Sequence, residues 1–360
     1  MTETWLDRPA PPRAGEELDA GALEAYLEHE LGLAGPLVLA QFPRGFSNLT
    51  YSVKAGGRDL ILRRPPFGAK IKSAHDMGRE HRVLSRLAPV YAMAPRPVAF
   101  CDDPGVLGAP FYLMERVEGV ILRAGMPEAM HPAPDVMSNI AANWVKALAD
   151  LHAVDYRAAG LEDFGRPEGY VRRQVDGWAE RYRRAATDEV PSLDRTAAWL
   201  ACHRPAEGAA ALVHNDFKYD NVVLDAQEWS RILAVLDWEM ATIGDPLMDL
   251  GTALGYWIDP DDPPALQALQ LSPTTLPGNW GRAEVAERYA LAAGRSLSDL
   301  VFYYVFGLFK IAVIVQQIYH RYRQGLTQDE RFKDLDLAVA SCGQTAAQAI
   351  DRQRIDRLYS

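Results

Sequence analysis

Apolar positions change their spacing along the chain. Leu23, Tyr26, Leu27 and Leu31 recur three and four residues apart, which predicts a helix that Gly32 ends. Three short strand-like runs follow, "GPLVLAQF", "TYSVKA" and "LILRR"; "PRGFSNL" and "GGRD" join them, and Pro65 and Pro66 stop the last. Turns this short predict antiparallel pairing. A helix is expected around Ser73 to Leu87, and "PRPVAF" and "FYLMERVEG" supply two further strands. After Gly119 the spacing turns helical, as in "VMSNIAANWVKALADLHAV" and "EGYVRRQVDGWAERYRRAA". Two short strand runs are expected to interrupt that half, "AALV" before His214 and "RILAVLDW". The pattern is α+β in kind. It divides into a tail and helix (1–35), a small sheet lobe (36–117) and a helical lobe (118–360), with the boundary at Glu115 to Gly119.

Composition narrows the class. A chain of 360 residues exceeds the usual single core, and 48% hydrophobic with 24% charged residues is ordinary for a soluble globule. A formal charge of -10 repels nucleic acid and anionic membrane, so neither is expected as a partner. Cys101, Cys202 and Cys342 are odd in number and far apart, which argues against a disulfide framework or a zinc set. Buried free thiols in the cytoplasm are the expectation. The start, "MTETWLDRPAPPR", has no apolar signal core. The run "LVFYYVFGLFKIAVIV" is broken by Lys310 and is shorter than the ~20 residues a membrane span needs, so it reads as a buried helix.

Chemistry concentrates in "LVHNDFKYDNVVLD", residues 212–225. Asp216 follows a strand and precedes Asn221, and the strand "ILAVL" then delivers Asp237. One carboxylate can accept a proton. An amide oxygen with a second carboxylate can hold magnesium, which takes few protein oxygens and keeps waters and phosphates for the rest. Phosphoryl transfer needs such a set. The plain alternative is a polar turn between strands in which Asp216 caps. In "IGDPLMDLG", Asp245 is placed to cap a helix starting at Pro246, and Asp249 points inward one turn later, toward the backbone of the segment that carries Asp216.

"HNDFKYDN" with "LDWE" and "GDPLMDLG" resembles the bilobal protein-kinase-like fold, in the form of the aminoglycoside phosphotransferase family. The resemblance implies Asp216 as catalytic base, Asn221 and Asp237 as magnesium ligands, His214 as a brace for the loop and Lys218 on the γ-phosphate. It implies ATP in the first lobe. There "RGFSNLTY" offers backbone amides, Ser47 and Asn48 to a phosphate, although it is no G-x-G-x-x-G. Ile61 would cover the base. Arg63 stands where kinases place a lysine, with Glu80 as its partner on the following helix. Arginine binds phosphate, often bidentately, but with a different geometry. "LMERVEG" resembles the linker between lobes, where the backbone of Glu115 and Val117 bonds the adenine edge. The plain readings of these segments are a hairpin, a surface ion pair and an edge strand.

On the acceptor side, Arg172, Arg173, Arg181, Arg183 and Arg184 lie along one helix with Asp176 and Glu180. Such a run is either a solvated face with i,i+4 pairs or an anionic acceptor site at Arg172 and Arg173. "RGFSNLTY", "LRRPPFG" and "GYVRRQVDGW" resemble the kinase-like domain N-terminal to some acyl-CoA dehydrogenases, over roughly residues 36–320. No dehydrogenase domain, and so no flavin chemistry, is expected from this sequence. The resemblance implies a small hydroxylated acceptor, with a hydroxyacyl-CoA as the narrower expectation. The reading is therefore an ATP- and magnesium-dependent small-molecule phosphotransferase. Its rival is a pseudokinase-like protein that holds nucleotide or acyl-CoA without transfer, favoured by Arg63. The short link from Asp237 to Gly244 leaves no activation loop, which argues against a protein kinase.

Overall fold

The computed structural model describes residues 8–42, 48–68 and 76–359, so Ser47 lies outside the described residues. In chain order the elements are α1 (Ala20–Leu31), β1 (Val38–Gln41), β2 (Leu49–Ala55), β3 (Arg58–Arg64), α2 (Met77–Leu87), β4 (Pro97–Cys101), α3 (Pro104–Leu107) and β5 (Phe111–Glu115). Then come α4 (Pro134–His152), α5 (Tyr170–Ala185), α6 (Pro191–Cys202), β6 (Ala211–Val213), β7 (Val222–Leu224), β8 (Ile232–Val235), β9 (Thr242–Gly244), α7 (Pro246–Tyr256), α8 (Pro264–Gln267), α9 (Arg282–Ala293), α10 (Leu300–Arg323) and α11 (Leu335–Arg352).

These elements form two compact units, Met1–Ile121 with Val222–Glu228 and Ile232–Ala241, and Leu122–Asn221 with Trp229–Arg231 and Thr242–Ser360. The first unit thus takes up the β7–β8 hairpin and the segment after it, which the linear reading puts with the helical half.

The first unit is built on a five-stranded sheet of order β1-β2-β3-β5-β4, antiparallel throughout. Side chains alternate along β3. Leu60 and Leu62 pack with Leu23 and Leu27 of α1 and with Tyr51, Val53, Phe111 and Leu113. Arg63 instead meets Glu80 of α2. The caps explain the helix limits. Asp19 accepts from the amide of Ala22 at 3.0 Å at the start of α1. Gly32 closes that helix in the left-handed region, φ 64°. Asp76 accepts from Arg79 at 2.9 Å and caps α2 at Met77; the expected start near Ser73 lies outside the described residues. The β7–β8 hairpin joins this unit through Val120 and Leu224, which exchange backbone bonds of 2.9 and 2.8 Å.

The second unit is mainly helical. The expectation of two strand runs after Gly119 is corrected to four: β6 pairs with β9, and β7 pairs with β8 in the first unit. Three-residue strands such as β7 and β9 are too short to carry a period of two. By length and composition α10 could cross a membrane, yet 78% of its apolar window is buried inside the protein. It packs on α5, α6, α7 and α11. Its approach to α7 is backbone to backbone. A Cβ on Gly251 would lie 2.1 Å from the carbonyl oxygen of Tyr303, and one on Gly307 would lie 2.0 Å from that of Gly251, so neither position takes a side chain. Of the three thiols, Cys101 and Cys342 are buried, but Cys202 is exposed at the end of α6, which corrects the expectation for it.

Candidate active site

At the end of β6 the chain leaves the strand through His214 and Asn215, and Asn215 adopts the left-handed conformation with φ 66°. A buried non-glycine residue with such a φ needs surroundings that hold it. Asp249, in the first turn of α7, supplies one hold. Its Oδ2 accepts from the amide of His214 at 2.6 Å and its Oδ1 from that of Asn215 at 2.7 Å. Asp245 caps the same helix by accepting from Leu247 at 2.8 Å, ahead of Pro246. Both roles read from "GDPLMD" are therefore found. His152, at the end of α4, bonds Asp249 Oδ2 at 3.1 Å through Nε2 and the Tyr289 hydroxyl at 2.6 Å through Nδ1. Burial pushes the Asp249 carboxyl up, but His152 and the loop amides outweigh it and hold it below the usual aspartate value.

The loop now presents Asp216. Its amide donates to Nδ1 of His214 at 3.2 Å. Its carboxylate Oδ2 accepts from Asn221 Nδ2 and from Lys218 Nζ, each at 2.8 Å. The 3-10 turn Tyr219–Asn221 folds the chain back, so residues five apart in sequence meet. Asn221 Nδ2 also donates to the Asp216 carbonyl at 2.9 Å. Phe217 anchors the loop by packing its ring 5.1 Å from that of Trp144 on α4. Burial opposes the charge on Lys218, but adjacent Asp216 outweighs it and pushes the lysine pKa up. Its ammonium lies 4.8 Å above the Tyr256 ring. Asp220 is tied to Ser272, whose hydroxyl donates to Oδ1 at 3.2 Å.

In the first unit, Arg63 is buried on β3 and gathers carboxylates. Glu80 lies 3.4 Å away, Asp237 3.0 Å and Glu239 3.9 Å. Burial works against the guanidinium charge, but Glu80 first, then Tyr112, Asp237 and Glu239, hold its pKa well above the ordinary value. Asp237 is left-handed, φ 68°, and leads into the 3-10 turn Trp238–Met240. Trp238 pins that turn by donating to the Val235 carbonyl at 2.8 Å. Asn48 donates to Glu239 Oε2 at 2.7 Å. Ile61 is buried beside Arg63 on the same strand. The Glu115 amide donates to the Arg96 carbonyl at 2.8 Å, whereas the Val117 amide has no hydrogen-bond partner among the described residues.

The arginines of α5 are largely engaged. Arg183 and Arg184 pair with Glu180, and Arg181 lies over the Trp178 ring. Arg173 donates to the carbonyls of Glu168 and Arg166. Arg172 is exposed.

Among the described residues no three His, Cys, Asp or Glu side chains are grouped to hold a metal. A closed zinc or calcium cage is thus missing there. The donors on hand are an asparagine and single carboxylates, which suit a cation that takes most of its ligands from water and phosphate. Sequence reasoning missed Glu239 and His152, although Glu239 stood in the quoted "LDWE" and His152 at the end of a quoted helical run.

The family model of the phosphotransferase enzyme family matches residues 38–287. Acyl-CoA dehydrogenase family member 10 of Mus musculus is 35% identical over 315 residues, which cover 86% of this chain and 29% of that protein. The chain thus spans less than a third of the length of that relative. A crystal structure from Ralstonia eutropha, named for the aminoglycoside phosphotransferases, superposes with a TM-score of 0.76 at 32% identity, covering 92% of this chain and 99% of the other. A thermostable mutant aminoglycoside phosphotransferase, in ternary complex with AMP-PNP and hygromycin B, superposes with a TM-score of 0.58 at 20% identity over 92% and 99%. The second likeness speaks for the fold alone, which is the α+β protein-kinase-like fold of these enzymes.

Proposed function

This chain belongs to the phosphotransferase enzyme family, and on that premise we propose that it transfers the γ-phosphoryl group of ATP to a hydroxyl of a small molecule. The observation that carries the reading is the bonding of Asp216. Asn221 and Lys218 fix one carboxylate oxygen at 2.8 Å each, on a loop whose backbone Asp249 holds. A carboxylate so fixed is oriented before substrate arrives, which is the main service this chemistry needs.

The acceptor hydroxyl donates to Asp216. As its oxygen bonds to the γ-phosphorus, the bond from that phosphorus to the bridging oxygen breaks, ADP leaves, and the hydroxyl proton passes to the Asp216 carboxylate. Lys218 stays charged beside it and meets the negative charge of the moving phosphoryl group. Asn221 and Asp237 are the residues that would hold magnesium, which supplies charge neutralisation at the phosphates when bound. Arg63, joined to Glu80 and Asp237, orients the Asp237 side chain. The open Val117 amide and the Glu115 carbonyl suit the adenine edge, with Ile61 over the base. Asn48 and Ser47 belong to the segment assigned to the phosphates.

The narrower acceptor, a hydroxyacyl-CoA, draws on the name of the Mus musculus relative. In this reading Arg172, exposed on α5, meets CoA phosphates, and Arg173 orders the loop before it. A second reading, nucleotide holding without transfer, is favoured by one observation: the guanidinium of Arg63 is already committed to carboxylates.

The test is ATP turnover with magnesium against a panel of hydroxylated metabolites and acyl-CoAs. Transfer that is lost in Asp216→Asn supports the first reading. A thermal shift with ATP and magnesium but no turnover on any acceptor supports the second.

A further inference from the structure

Lys310 is the cation that interrupts the apolar run of α10. It is buried, and a fully buried ammonium is costly unless its protons find acceptors. It makes one hydrogen bond among the described residues: Nζ donates to the carbonyl of Asn215 at 2.7 Å. The ring of Trp178 lies 5.7 Å away and gives it a second, weaker stabilisation. A methionine or leucine would fill the same space on this helix without the burden of charge.

The place of that single bond is what matters. Asn215 immediately precedes Asp216 and is left-handed. The peptide group joining the two residues is held at both ends: its oxygen accepts from Lys310, and its N–H donates to His214 Nδ1 at 3.2 Å. Rotation of this one peptide plane sets the direction in which the Asp216 side chain leaves the backbone. The rest of Asn215 is also fixed. Its amide goes to Asp249 on α7, and its side-chain oxygen accepts from the Tyr170 hydroxyl on α5 at 3.2 Å. Lys310 follows Gly307 by one turn, and Asp249 precedes Gly251 by two residues. The close approach of those two glycines therefore sets the spacing between the two groups that grip the loop.

We propose that Lys310 is a positioning residue for phosphoryl transfer, fixing the Asn215–Asp216 peptide so that the Asp216 carboxylate faces the acceptor hydroxyl. The proposal rests on the phosphotransfer reading, and its test separates the two. Lys310→Met removes the donor, and Lys310→Gln keeps a neutral donor on a slightly shorter arm. Lys310→Met is expected to lower kcat at least tenfold with KM for ATP within twofold of the wild type. Lys310→Gln should recover a substantial part of that loss. Hydrogen–deuterium exchange of the peptide over residues 212–224 reads position without any turnover. It should quicken in Lys310→Met while α7 and α11 keep their protection, and it should be closer to the wild type in Lys310→Gln. Wild-type kcat together with wild-type exchange in Lys310→Met overturns the proposal, as does exchange that quickens evenly through the helical unit, because that marks a merely structural lysine. If the wild type transfers phosphate to no acceptor, the phosphotransfer reading fails, and the loop exchange still decides whether Lys310 holds the peptide.

Discussion

The Arg63 guanidinium donates to Oδ1 of Asp237 at 3.0 Å while its other terminal nitrogen lies 3.4 Å from Glu80. One arginine on a strand thus ties a helix carboxylate to the aspartate of "LDWE". Removing one partner from a buried pair leaves the other charge uncompensated, which typically costs about 3–5 kcal/mol. Arg63→Ala is expected to lose stability of that order in urea unfolding. The double change Arg63→Met with Glu80→Gln should lose less, because no lone charge stays buried. A loss in Arg63→Ala no larger than that of an exposed arginine would remove this account of the network.

Asp249 accepts from two loop amides and from His152. Asparagine at 249 would turn an NH2 group toward at least one of these donors. Charged hydrogen bonds of this kind contribute about 1.5–3 kcal/mol each. Asp249→Asn should therefore lower both stability and turnover. The folded carboxyl titrates below its ordinary value, so its contribution is fully present above the unfolded pKa of about 3.9 and fades as pH falls through the lower folded value. The stability gap between wild type and Asp249→Asn should hold steady from neutral pH down to about pH 4 and close below it. A gap that closes already near neutral pH would assign the effect to another group.

Lys310 runs the other way. Burial pushes its pKa down to about 8, against the pull of Asp216 and Asp249 and with the repulsion of Lys218 and Arg181. An unfolded lysine titrates near 10.4, so between about pH 8 and pH 10.4 the unfolded chain binds more protons than the folded one. Stability relative to Lys310→Met should therefore rise across that window. The full span is about 3 kcal/mol, from a shift of about 2.4 at 1.36 kcal/mol each. Denaturation curves of the two proteins that keep a constant separation over this range would contradict a Lys310 whose pKa burial has lowered.

Much of this was legible in the chain itself. Gly32 marked the end of α1, and "GDP" marked a capped helix start, because caps are local chemistry. Asp249 pointing at the loop followed from one turn of helix. The short strands β7 and β9 were not legible, since three residues hold no period. Glu239 and Asn48 stand 191 positions apart, and no local pattern links them. Lys310 was visible as an interruption, but its partner Asn215 lies 95 positions away, so its role needed the fold.

Asn221 donates through Nδ2 to Asp216, which leaves its Oδ1 as the atom for a cation. Asn221→Ala should raise the magnesium concentration for half-maximal turnover at least tenfold, and Asp237→Ala should do the same. Unchanged magnesium dependence in both would take these residues out of the metal role.

The most direct test concerns Asp216. Transfer of the γ-phosphoryl of ATP to a hydroxylated acceptor, followed by the phosphorylated product, is compared between wild type and Asp216→Asn. The change should lower kcat by about 100-fold or more, the scale of a lost general base, while ATP with magnesium still binds. Product formed at the wild-type rate by Asp216→Asn, or by neither protein with any acceptor, would contradict the assignment.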